Sequence, residues 1–291
     1  MSGREQANDQ RDHKVTIEES GEIFFFYRPK VDREEAHSPD DVQRLYIVLR
    51  PTSSKSESEE KQDPKSGKEG NKGKEGGQGS EEVNIKKESL MRLIVMGRKE
   101  LPDPGKRTRP YWGFVELVTT KAEEAKEALK GEEYDTASKK HRRRYPARAV
   151  GGGGYRIVKH GDEKGMHTHL VYRLGLPEEK GDNEPQEAMN IEREGSFVLQ
   201  IKNPENEGGG FRGLQRKRRA VFPAHLQGRF EKKRFCAAEV PDYLNYEGCE
   251  ILLISASDDV EEELGLKMED VSCDHLLSTF ETSTETRPLF E

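Results

Sequence analysis

Short runs of β-branched and aromatic residues recur along this chain, and Gly, Pro or Asp separates one run from the next. Runs of this kind are typical of strands. Because they follow one another with few helical patterns between them, antiparallel pairing into a barrel or a sandwich is favoured over a parallel doubly wound sheet. The sequence predicts strands at residues 14–18, 22–29, 44–50, 91–98, 111–119, 148–150, 155–159, 169–174, 196–202, 220–222, 235–237 and 250–255.

Two short helices are predicted beside these strands. Residues 121–130 carry alanines at helical spacing, and Gly131 can end that helix. Residues 258–264 are acidic in their first turns, with Ser257 as a candidate N-cap and Gly265 as the stop. The fold class is therefore mainly β, a β-rich α+β protein.

The domain organisation follows from where apolar residues are missing. Only 31% of the residues are apolar and 36% are charged. Residues 52–87 consist almost entirely of Ser, Lys, Glu and Gly, and such a segment cannot repay its ordering entropy by burial. We expect a disordered N-terminus at 1–12, a single β-rich domain at 13–266 interrupted by a disordered linker at 52–87, and a flexible tail at 267–291.

The location in the cell is predicted from two further absences. No apolar run approaches the roughly 18 residues that a membrane helix needs. The first 14 residues are polar and carry both signs of charge, unlike a secretory signal or a transit peptide. These features predict a soluble protein of the cytoplasm or nucleus with no membrane partner.

No cofactor or metal is predicted. The cysteines Cys236, Cys249 and Cys273 match neither a zinc pattern nor an even-numbered disulfide framework, so we interpret them as free thiols. Three histidines at positions 160, 167 and 169 lack an identifiable further ligand. The glycine run 151–154 precedes a strand rather than a helix, which favours a hairpin turn or a bulge over a phosphate loop.

Basic residues are concentrated in the middle of the chain. Residues 139–234 contain 22 Lys and Arg against 12 Asp and Glu, a net of +10 in a chain whose formal charge is −7, whereas residues 235–291 have a net of −13. Three clusters carry this charge, and we predict them as the anion-binding residues: Lys139, Lys140, Arg142, Arg143 and Arg144; Arg216, Lys217, Arg218 and Arg219; Lys232, Lys233 and Arg234.

The clusters leave several interpretations open. They can hold an anionic partner, either nucleic acid or a phosphorylated ligand, with Tyr145, Phe211 and Phe222 available for stacking. They can instead pair with the acidic C-terminal part, or act as nuclear-import signals. No catalytic motif is visible at diagnostic spacing, so whether the chain is an enzyme is uncertain. The leading prediction is a non-enzymatic binding module for an anionic partner; the alternative is a small-molecule enzyme with a polar pocket at a barrel mouth, formed within residues 148–234.

Several stretches resemble an uncharacterised protein family of plants that has some bacterial relatives. The resemblance covers residues 22–264 apart from the linker, and it implies that these segments form one domain. It implies no activity, cofactor or site residue. The stretches are FFFYRPKV, DVQRLYIVLRP, ARAVGGGGYRIV, THLVYRL, NIEREGSFVLQIKNP, AVFPAHLQGRF and DYLNYEGCEILLISASDD.

Overall fold

The computed structural model describes residues 15–36, 38–54, 59–60, 82–83, 90–137, 141–162, 165–177, 185–206, 214–237, 240–268 and 280. The predicted N-terminal disorder, most of the predicted linker and most of the predicted tail lie outside these residues. The long strands of the described part are β1 (Val15–Pro29), β2 (Val42–Ser54), β3 (Met91–Met96), β4 (Tyr111–Thr119), β5 (Arg148–Asp162), β6 (Gly165–Leu176), β7 (Glu194–Lys202) and β8 (Glu250–Ser257).

These eight described strands form a closed antiparallel ring. The order around the ring is β1, β2, β3, β4, β8, β7, β6 and β5, and β5 pairs again with β1. The prediction of a mainly β fold is confirmed. Of the two predicted architectures, barrel and sandwich, the closed ring is a barrel. Closure leaves none of these strands with a long unpaired edge, which is the feature that promotes aggregation of open sheets.

The antiparallel register defines two ends of the barrel. At the first end, which we call the Pro29 end, β1 finishes at Pro29 and β5 begins at Arg148. At the opposite end, which we call the Lys202 end, β7 finishes at Lys202 and β8 begins at Glu250. These two ends separate the candidate sites described below.

The barrel interior is filled by apolar side chains that alternate along each strand. Phe25 of β1 contacts Tyr172 of β6 at a ring-centroid distance of 5.1 Å, and Tyr172 stacks on Phe197 of β7 at 6.1 Å. All three are almost fully buried. The interior of an eight-stranded barrel is just wide enough for side chains to fill it, and apolar side chains fill this one.

The described helices are α1 (Ala122–Leu129), α2 (Pro185–Ala188), α3 (Ala224–Gly228), α4 (Val240–Tyr243) and α5 (Val260–Leu264). The two predicted helices are present as α1 and α5. The other three were missed, because a helix of four or five residues is too short to show helical periodicity; α5 is as short and was predicted from its acidic first turns and glycine stop instead. The predicted strand at 220–222 is also wrong, since these residues form an irregular segment before α3.

The two predicted helices cover the outer surface of the barrel. Leu129 of α1 joins an apolar cluster with Phe24 and Phe26 on the outer face of β1. On another face, Val260 and Leu264 of α5 pack against β5 and β6. The N-cap of α5 is Asp259 rather than the predicted Ser257, since the Asp259 carboxylate accepts a hydrogen bond from the backbone N–H of Glu262 at 2.8 Å. Gly265 ends the helix, as predicted, and its φ of 61° is in the left-handed region that glycine tolerates.

The glycine run 151–154 lies inside β5 and is not a turn. The pairing register shifts beside the run, between Phe25 and Phe26 of β1 and between Leu174 and Leu176 of β6. The predicted bulge is therefore found next to the glycine run. A Cβ atom on Gly152 would lie 2.6 Å from the Phe24 ring, and one on Gly153 would overlap the backbone carbonyl of Arg173. Close packing of neighbouring strands therefore requires these glycines.

A buried polar network crosses the barrel near the Lys202 end. Arg92 of β3 donates from Nη1 to Oε1 of Glu19 at 2.6 Å and from Nε to Oδ1 of Asn245 at 2.7 Å. The Tyr155 hydroxyl donates to the same Glu19 oxygen at 2.7 Å. The side chains of Arg92 and Glu19 are fully buried, and Asn245 follows α4, so the network joins three strands, β1, β3 and β5, to the segment that covers this end.

Candidate functional site

The first basic cluster lies on a short hairpin at the Pro29 end. Arg142–Arg144 pair with Glu132–Tyr134 as a two-stranded ribbon, which we call the arginine hairpin. The backbone N–H of Asp32 donates to the carbonyl of Arg143 at 2.7 Å, which fixes the ribbon to the segment after β1. Lys139 and Lys140, also predicted as site residues, lie outside the described residues.

Each arginine of the hairpin contacts a carboxylate on the surface. These carboxylates are between 44% and 75% exposed, so solvent screens their ion pairs strongly. The hairpin is thus a surface of interleaved charges, and its arginines are held in place without being buried. The contacts are Arg142 Nη1 to Asp32 Oδ2 at 3.2 Å, Arg143 Nε to Glu133 Oε1 at 3.4 Å, and Arg144 Nη1 to Glu132 Oε1 at 2.6 Å.

Two tyrosines lie under the guanidinium groups of the hairpin. The Arg143 guanidinium carbon is 4.5 Å from the centre of the Tyr145 ring, and that of Arg144 is 5.7 Å from the centre of the Tyr134 ring. Both rings are partly exposed. Beside them is a groove of about 460 Å³ lined by Glu133, Tyr134, Asp135, His141, Arg142 and Arg143.

The second and third clusters lie towards the Lys202 end. Arg218 donates to Glu116 of β4 at 2.6 Å, and Arg219 Nε is 3.6 Å from Glu250 Oε1. The backbone carbonyl of Arg234 accepts from the N–H of Asn203, immediately after β7. Of the remaining residues, Arg216 is described only through its backbone, and Lys217, Lys232 and Lys233 have exposed side chains.

The structure therefore divides the predicted site. The arginine hairpin is at one end of the barrel and the other two clusters are at the opposite end, so the twelve predicted residues do not form one face. The arginines of the hairpin contact Asp32, Glu132 and Glu133, all of which precede the basic segment rather than belonging to the acidic C-terminal part. Among the described cluster residues, Arg219 contacts that part through Glu250.

Lys202 is a buried cation that the sequence prediction missed. Its side chain has no exposed surface, its Nζ lies 3.5 Å from Glu250 Oε1, and it donates to the carbonyl of Asn206 at 2.9 Å. Burial lowers its pKa from the ordinary value. A lysine at the end of a strand is usually solvated, so nothing in the local sequence distinguished this one.

The three histidines are close together on the outer face of β5 and β6. His160 and His169 have ring centroids 5.9 Å apart, and Nδ1 of His169 lies 3.1 Å from the Ser196 hydroxyl and 3.6 Å from Glu263 Oε1 of α5. Burial, then the neighbouring imidazoles, lower the pKa of His169 to about 4. Within the described part of the chain, no three His, Cys, Asp or Glu side chains come together as a set that could hold a metal ion.

The two described cysteines, Cys236 and Cys249, are free thiols, as predicted, and both are buried. Burial raises the pKa of the Cys249 thiol well above its ordinary value, so this sulfur is held as the protonated thiol. The third predicted free thiol, Cys273, lies outside the described residues.

No protein-family model, no curated protein and no solved structure matches this chain. The resemblance to an uncharacterised plant family stays a prediction. Among the described helices, none combines the length and the apolar character that crossing a bilayer requires.

Proposed function

We propose that this protein is a non-enzymatic binding module whose arginine hairpin contacts the phosphate backbone of nucleic acid. The observation that carries the proposal is the hairpin itself: three consecutive arginines on one strand of a surface ribbon, with partly exposed tyrosines at two of their guanidinium groups. Arginines supply phosphate contacts, and aromatic rings supply sequence-tolerant stacking for unpaired bases.

The carboxylates beside these arginines do not block such binding. An exposed ion pair contributes about 0 to 1 kcal/mol, so a phosphate can replace the carboxylate at little cost. The neighbouring acids also limit affinity, because they repel the rest of a polyanion. We therefore expect binding in the micromolar range or weaker at physiological salt, without base specificity.

The alternative of an enzyme with a polar pocket at the barrel mouth has less support. Apart from the network of Arg92 and Glu19 near the Lys202 end, the barrel interior is packed with apolar side chains along the described strands. The buried polar pair His169 and Ser196, which belongs to the predicted stretch 148–234, lies beneath α5 on the outer face instead. The groove beside the arginine hairpin is also open and outside the barrel.

The test is a salt titration with a labelled single-stranded oligonucleotide, read by fluorescence anisotropy. Each phosphate contact adds about 0.7 to the slope of log affinity against log salt for single strands. Replacing Arg142, Arg143 and Arg144 together by alanine should lower that slope by about two units if all three contact phosphate. The same change should leave the melting temperature nearly unchanged, since the ion pairs are exposed.

A matched control removes the same charge from the other end of the barrel. Lys217, Lys232 and Lys233 are exposed, and their triple alanine variant should retain the wild-type slope. Equal losses in the two variants would show a general charge effect and contradict a site at the hairpin. The absence of any binding near 20 mM salt, where the screening length is roughly 20 Å, would end the proposal.

A further inference from the structure

A groove at the Lys202 end contains an arginine with unused donors. The groove has a volume of about 420 Å³ and is lined by Pro204, Glu205, Arg219, Ala220, Val221, Phe222 and Gln227. The Arg219 side chain is 21% exposed, and its Nε is buried without a hydrogen-bond acceptor among the described residues. Its single described ion pair, to Glu250, is 3.6 Å long. A guanidinium carries five N–H donors, so the exposed part of the Arg219 guanidinium can still donate hydrogen bonds to both oxygens of an oxyanion.

Further cations lie behind this arginine. Lys202 is buried and contacts the same Glu250 carboxylate at 3.5 Å. Arg219 and Arg234 both lie close enough to Lys202 to contribute to lowering its pKa, after burial as the main cause. Lys202 and Arg219 thus share one described carboxylate, Glu250, and because Lys202 is buried, its attraction for an anion is screened less than that of a charge on an open surface.

The other walls of the groove are apolar apart from the acidic Glu205 and the amide Gln227, whose Nε2 donates to Asn203 Oδ1 at 3.0 Å. Ala220 and Phe222 are buried and form a fixed floor, and the Phe222 ring contacts Tyr243 at 5.0 Å and Phe230 at 6.0 Å. Val221 is 71% exposed, more than any other large apolar side chain among the described residues. Glu205 lines the same groove and its charge opposes an incoming anion.

We propose that this groove, the Arg219 groove, binds a small oxyanion, a phosphate monoester or a carboxylate attached to a compact apolar body. The oxyanion pairs with the guanidinium of Arg219, and the apolar body covers Val221 and the edge of Phe222. Its volume falls within the range of 300 to 1,000 Å³ that small-molecule sites occupy. The site is at the opposite end of the barrel from the arginine hairpin and is independent of nucleic-acid binding there.

The test is calorimetric titration of the full chain with phenyl phosphate, benzoate and phenol. Phenyl phosphate and benzoate carry the two oxyanions on the same ring, and phenol carries the ring alone. We expect millimolar or tighter binding of at least one oxyanion and at least tenfold weaker binding of phenol. Replacing Arg219 by alanine should weaken oxyanion binding by about tenfold to a hundredfold, the usual effect of losing a charged hydrogen bond.

Two further substitutions keep the test informative if Arg219→Ala perturbs folding. Arg219→Lys retains the charge but loses the planar fork, and its affinity should fall between those of wild type and alanine. Glu205→Gln removes the opposing charge and should tighten oxyanion binding by about threefold. The exposed neighbour Lys217 provides the control, since Lys217→Ala should leave affinity unchanged.

The proposal has clear contrary outcomes. It is overturned if neither phenyl phosphate nor benzoate binds by about 10 mM, a concentration that corresponds to a very weak interaction. Equal weakening by Arg219→Ala and Lys217→Ala would also overturn it, because the effect would then be one of net charge. Phenol binding as tightly as phenyl phosphate would show an apolar site without anion recognition.

Discussion

Replacing Glu19 by glutamine tests whether the buried polar network holds the Lys202 end of the barrel together. Glutamine has nearly the shape of glutamate, so the change removes the charge with little effect on packing. Arg92 would then lie fully buried without the anion that it now contacts at 2.6 Å. The second Glu19 oxygen is buried and accepts no hydrogen bond within the described residues, so replacing it by an amide N–H₂ group removes no existing hydrogen bond there.

The expected cost is large. Removing one partner of a buried ion pair destabilises a protein by about 3 to 5 kcal/mol, because the remaining charge stays desolvated. Replacing both partners by apolar residues is much less costly in general. We therefore expect the double variant Glu19→Leu, Arg92→Met to be more stable than Glu19→Gln alone. Some loss should remain, since Asn245 and the Tyr155 hydroxyl would lose their partners in the network.

The assay is urea unfolding followed by fluorescence of Trp112, the single tryptophan of the chain, and by far-ultraviolet circular dichroism. Glu127→Gln is the matched control, because Glu127 contacts Lys130 at 3.2 Å with both side chains largely exposed. That change should cost less than about 0.5 kcal/mol. If Glu19→Gln were as mild as Glu127→Gln, the network would have to be hydrated, and the argument from burial would be refuted.

Two further predictions concern the barrel wall and its outer face. The pKa of His169 is about 4 in the folded state and about 6.5 in an unfolded chain, so the unfolded state takes up the proton first as the pH falls. The free energy of unfolding should therefore fall by about 3 kcal/mol between pH 6.5 and pH 4. Glu263, whose pKa is raised by burial, acts in the opposite direction, and His169→Gln, which keeps Glu263, should show a flatter pH dependence of unfolding. Gly153→Ala should lower the melting temperature severely, because its Cβ would overlap a neighbouring backbone carbonyl. Gly228→Ala is the control and should be nearly neutral, since the space around its Cβ is open. Comparable melting temperatures for the two variants would contradict the requirement for glycine in β5.

The basic residues show how far the candidate sites could be predicted. The three clusters are evident in the sequence because charge composition is a local property. Their division between two ends of the barrel is not, since it follows from the pairing of β1 with β5 and of β7 with β8. The surroundings of Arg219 and Lys202 could not be predicted locally either. Both side chains contact Glu250, which is more than 30 residues away along the chain.

The fold, too, could be predicted only in part from the sequence. Short runs of β-branched and aromatic residues determined the strands, and Gly265 determined the end of α5, because strand propensity and left-handed backbone are properties of a few neighbouring residues. Closure into a barrel, the place of the glycine run inside β5 and the pairing of Glu19 with Arg92 were decided by the tertiary structure. Each of these depends on strands that are distant in sequence, and local propensity carries no information on which distant strands will pair.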